Sequence, residues 1–140
     1  MRLAYVIAGF SGLVGVVAAG MGLYGLYKFE FIEWAMTMGH AFDNPEHGNI
    51  RAEEWRAGYK ASMAVFVSFG IAALAAAYGL FRGYRWAQYL WLLLVAIHMI
   101  APVQQLPGET TAWIWLAVSA IVFVASVLVF RTNGRVSAAP

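Results

Sequence analysis

Charged residues punctuate this chain at intervals instead of alternating with apolar ones. Four stretches contain no Asp, Glu, Lys or Arg: residues 3–27, 61–81, 86–108 and 110–130, of 25, 21, 23 and 21 residues. A helix needs about 20 apolar residues to cross a hydrocarbon core of ~30 Å, and unpaired backbone groups are too costly in lipid for such a run to be irregular. The pattern predicts an all-α fold, a single four-helix transmembrane bundle with spans at about 3–27, 59–81, 86–103 and 111–130. The third span is expected to end near Pro102, because Pro102, Pro107 and Gly108 suit a turn. Thr110 or Thr111 then caps the fourth. Ala18-Ala19-Gly20 has the look of a leader cleavage site, but the apolar run around it is too long for a signal core and continues through Tyr24. A span is expected there.

Composition agrees. Of 140 residues, 62% are hydrophobic and 11% charged, against about 45–50% apolar and about 25% charged in soluble domains. A soluble core this small has no room for that surplus, whereas a bilayer has. Cysteine is absent, so disulfides, thiolate metal sites, iron–sulfur clusters and cysteine nucleophiles are excluded. The formal charge of +2 does not point to a nucleic-acid partner, because the basic residues flank the spans and form no patch.

Charge placement also orients the spans. Arg2, Arg82, Arg85, Arg131 and Arg135 fall on one side with no acidic residue. On the other, Lys28, Arg51, Arg56 and Lys60 face the seven acids Glu30, Glu33, Asp43, Glu46, Glu53, Glu54 and Glu109. Positive short loops mark the cytoplasmic face. Both termini are therefore expected in the cytoplasm, the protein in the cytoplasmic (inner) membrane, and the 28–58 loop outside. Tyr24, Tyr27, Trp34, Trp55, Tyr59, Trp113 and Trp115 near the outer boundary, with Tyr5, Tyr78, Tyr84, Trp86 and Tyr89 near the inner one, read as interfacial anchors.

Helices in lipid associate through small residues and interhelical hydrogen bonds. The first span offers Ser11, Gly15, Ala18, Ala19 and Gly22, and the second Ser68, Ala72, Ala75, Ala76 and Gly79. These two stripes are expected to pack on each other or to receive a partner. In the outer loop Glu30, Glu33, Thr37 and His40 recur at helical spacing, which predicts a partly helical loop with one acidic face. Asp43-Asn44-Pro45 breaks that helix and Asn49 caps the next, on which Arg51–Glu54 and Glu53–Arg56 are expected as i,i+3 pairs.

Two places could carry chemistry. The outer loop holds Glu30, Glu33, His40, Asp43, Glu46 and His47, with His40, Asp43 and His47 the candidate metal ligands. Glu33 and His40, however, are about 10 Å apart along a helix, and no E-x-x-H or H-E-x-x-H arrangement occurs. The other is His98, the one ionisable residue deep inside a span, about 18 Å from the inner boundary. It is either a neutral imidazole bonded to a neighbouring helix or part of an outward-opening polar pocket with Glu30, Glu33 and His40, rimmed by Gln104 and Gln105. Other membrane chemistries fail on composition: the first span has no carboxylate for proton-coupled export, no second buried His completes a bis-imidazole haem site, and no span carries a Lys for a Schiff base.

Gly22-Leu23-Tyr24-Gly25-Leu26-Tyr27-Lys28, leaving the first span, and Gly48-Asn49-Ile50-Arg51-Ala52-Glu53, entering the second, resemble the DoxX-like group of small four-helix bacterial membrane proteins. The resemblance implies that fold, and some members are small subunits of membrane redox complexes. It assigns no catalytic position here. Two functional expectations follow. One is a non-enzymatic accessory or scaffold subunit, contacting membrane lipids and either a larger membrane protein or copies of itself. The other is a binding protein for a quinone, lipid or metal, lined by His98, Glu30, Glu33 and His40.

Overall fold

The structure is a computed structural model that describes residues 2–38, 52–103 and 110–136. These residues form five helices and no strand: α1 (Arg2–Tyr27), α2 (Phe29–Met38), α3 (Ala52–Phe81), α4 (Arg85–Val103) and α5 (Thr110–Val136). Three of them, α1, α3 and α5, contain segments long and apolar enough to cross a membrane. At most 28% of the residues in their apolar windows are buried within the chain. An apolar surface that wide is stable only against lipid or another protein. The chain is a membrane protein with transmembrane helices. At 19 residues, α4 is about 28 Å long at ~1.5 Å per residue.

The chain falls into two compact units, one of Met1–Gly15 and Ala72–Pro140, the other of Val16–Ile71. In the first, Ser11 Oγ donates to the Ala73 carbonyl at 2.8 Å and is fully buried. Tyr5 meets Phe81 edge-on at 5.2 Å. The buried Trp91 of α4 donates from Nε1 to Ser126 Oγ of α5 at 3.0 Å, and its ring stands perpendicular to that of Phe10 at 6.1 Å. Ala112, Ser119 and Ser126, one heptad apart, are the small buried positions of α5.

In the second unit α1 and α3 touch through glycine. A Cβ on Gly22 would lie 2.8 Å from the Met63 carbonyl and 2.9 Å from the Val67 nitrogen, and one on Gly70 would strike the backbone of Ala19. Along α1 the buried positions Ala8, Ser11, Gly15, Ala18, Gly22 and Gly25 alternate in steps of three and four, which is the expected small-residue stripe extended at both ends. On α3 the expected stripe is corrected. Ser68 and Ala75 are exposed, and the inward positions are Gly70, Ala73, Ala76 and Gly79. The stretch 70–79 is so rich in alanine and glycine that small residues occupy several faces at once, and composition does not single one out.

The turn between α3 and α4 is a Schellman motif. Tyr84 N–H donates to the Gly79 carbonyl at 2.8 Å and Gly83 N–H to the Leu80 carbonyl at 3.1 Å. Gly83 takes φ = 77°, the left-handed conformation this cap requires, where a Cβ would be strained.

Candidate functional site

The richest polar cluster among the described residues lies in the second unit, where α2 folds against the first turns of α3. Between α1 and α2 only Lys28 leaves helical geometry, and i to i−4 bonds run across the break, Lys28 N–H to the Tyr24 carbonyl at 2.9 Å and Ile32 N–H to the Lys28 carbonyl at 3.0 Å. That keeps α2 close to the end of α1. Residues 52–60 extend the α3 helix beyond its apolar run, and Trp55, Arg56, Tyr59 and Lys60 repeat there at helical spacing on one side.

Phe29 is the centre of this contact. Its ring stacks on Trp55 at 6.0 Å and meets Tyr59 at 5.7 Å, while the Lys60 ammonium sits 4.4 Å from its centre. Trp55 and Tyr59 stack on each other at 5.2 Å. A cation over an aromatic face contributes about 0.5–1 kcal/mol where exposed. Tyr59 O–H donates to the Gly25 carbonyl at 3.3 Å, satisfying an acceptor in the last turn of α1. Arg56 closes the cluster with an ion pair to Glu33 at 2.5 Å. This replaces the expected Glu53–Arg56 pair, because α2 packs on the first turns of α3 and brings the Glu33 carboxylate to the guanidinium. Arg51 lies outside the described residues.

Glu33 is engaged by Arg56, and its own carbonyl accepts from Thr37 Oγ1 at 2.9 Å. Glu30 lies three residues earlier on α2 and is exposed. His98 belongs to the other unit, exposed on α4, its ring edge-on to Trp115 of α5 at 6.2 Å. His40, Asp43, Glu46, His47, Gln104 and Gln105 lie outside the described residues. No three metal-binding side chains come together among the described residues. Among the described residues, an open groove of about 270 Å³ is lined by Tyr24, Lys28, Phe31 and Ile32, and another of about 290 Å³ lies between α4 and α5. Neither is lined by His98, Glu30 or Glu33.

No family model, curated protein or solved structure matches this chain.

The signal that would have revealed the α2–α3 cluster is the Trp55, Arg56, Tyr59, Lys60 repeat. Each aromatic there also satisfies the rule for an interfacial anchor, which conceals a second use. The ion pair is half-exposed at Arg56, so its contribution should be about 1 kcal/mol or less. Glu33→Arg or Arg56→Glu alone should lower thermal stability in detergent slightly, and the double exchange should restore most of the loss. Two single losses that simply add in the double exchange would show the pair does not form.

Proposed function

We propose that the chain is a small non-enzymatic accessory subunit of a larger membrane protein, a four-span bundle of the DoxX-like kind in the cytoplasmic membrane with both termini inside. The arginine asymmetry supports the threading. For α4, a length near that of the hydrocarbon core, a connection of only three residues to α3 and buried contacts along α5 support a fourth crossing. The observation that carries the subunit role is the outward face of α5. Only 17% of its apolar window is buried, and Ile114, Val118, Ile121 and Leu128 form one exposed stripe opposite the small residues that meet α4. Meanwhile Glu33, the best-placed carboxylate for ligand chemistry, is held by Arg56.

Photocrosslinking in cells tests this. A photoreactive residue at Ile121 should give one discrete adduct with a larger membrane protein, and the same probe at Val65 on the exposed side of α3 should not. Lipid adducts alone at both positions, or an adduct of twice the chain's own mass, would reject the accessory role.

A further inference from the structure

Among the described residues, no carboxylate pairs with the arginines at one end of the first unit. From residue 55 to residue 140 the sole acidic side chain is Glu109, and residues 1–29 contain none. Arg82, Arg85 and Arg131 consequently form no ion pair among the described residues, where the one salt bridge is Arg56–Glu33 in the other unit. All three are exposed beside an apolar surface, so an anion from outside the chain can reach them.

The groove between α4 and α5 has the form to receive one. Its lining is graded: Arg131, Gln88 and Tyr89 supply a cation and polar groups, while Leu92, Val127 and Phe130 supply an aliphatic and aromatic wall, around a volume of about 290 Å³. Arg85 lies three and four residues before Gln88 and Tyr89, on the same face of α4 and one turn nearer the arginine-rich turn. A free phosphate would use only the polar end. An acyl chain with no headgroup charge would use only the wall. We propose that this groove is a binding site for an anionic phospholipid, its phosphate held by Arg131 with Arg85 and its acyl chain lying along Leu92, Val127 and Phe130. Basic recesses between transmembrane helices at the membrane surface are the usual setting for such headgroups. The inference rests on the chain being a membrane protein and is independent of the accessory role.

The test uses the full chain in detergent micelles, where neither threading nor a partner affects the readout. Native mass spectrometry would follow binding of phosphatidylglycerol, phosphatidylcholine or inorganic phosphate. Phosphatidylglycerol should be retained in preference to phosphatidylcholine, and phosphate should not compete at equal concentration. Arg131→Gln should lower phosphatidylglycerol occupancy about fivefold, as expected for one surface arginine. Val127→Trp, which fills the apolar end without touching charge, should reduce occupancy as well, and it decides the matter if Arg131→Gln does not fold. Equal retention of the two lipids, displacement by phosphate, or a loss in Lys28→Gln from the other unit as large as in Arg131→Gln would overturn the proposal.

Discussion

Leucine at position 70 should cost the fold about 3 kcal/mol, at the upper end of what overpacking usually does. The cause is geometric. Even a methyl group on Gly70 would strike the Ala19 backbone, and on Gly22 it would press on the Met63 carbonyl and Val67 nitrogen. Backbone atoms cannot rotate aside as side chains do, so the helices must separate. In lipid the apolar environment does not drive them back together, and close van der Waals contact is most of what holds such a pair. Alanine at position 70 should be milder, because its better helix propensity offsets roughly 0.5–1 kcal/mol of the clash. Gly9 and Gly20 are the internal controls, with nothing within 4 Å of a built Cβ; alanine at either should be neutral or slightly stabilising. The measurement is equilibrium unfolding in mixed micelles. Wild-type stability in Gly70→Leu would mean that α1 and α3 do not meet along this seam.

Trp91→Ala should be the most damaging change in the first unit, costing about 3–5 kcal/mol as large-to-small core substitutions do. Trp91 is 3% exposed, stands with its ring perpendicular to that of Phe10 and donates to Ser126, which is itself 1% exposed. Ser126→Ala isolates the hydrogen bond and should cost about 0.6 kcal/mol, with ~1.7 kcal/mol as the upper range for interhelical bonds in membranes. The ratio of the two separates packing from polarity. If Ser126→Ala proved as harmful as Trp91→Ala, the contact would be held by its hydrogen bond and not by shape. Near-wild-type stability in Trp91→Ala would remove Trp91 from the core altogether.

Sequence periodicity was most informative where one kind of constraint acted alone. Length without charge located the apolar helices, because lipid imposes it on each segment separately. The α1 stripe was legible because Ser11, Gly15, Ala18 and Gly22 recur in steps of four, three and four, with Leu13, Val14, Val16, Val17 and Met21 filling positions between them. The α3 face was not, since its alanines satisfy helix propensity and close packing equally well. The partner of Arg56 was hidden for another reason. Glu33 is 23 residues away, and a local i,i+3 candidate at Glu53 was present. Choosing between them takes knowledge of how α2 leaves α1, which depends on backbone geometry at Lys28. At the candidate site, residue types revealed the carboxylates and His98 but not their engagement. The groove at Arg131 combines α4 and α5 residues some 40 positions apart, beyond the reach of any pattern within one helix.

The cap at Gly83 has a consequence for biogenesis. A stop this tight leaves no slack between α3 and α4, so the second cannot lag far behind the first as they leave the ribosome. On the proposed threading the two enter the bilayer as a hairpin, with Arg82 and Arg85 remaining at its cytosolic bend. A longer linker spliced in at Gly83 would let α3 commit by itself, and inverted molecules should then accumulate.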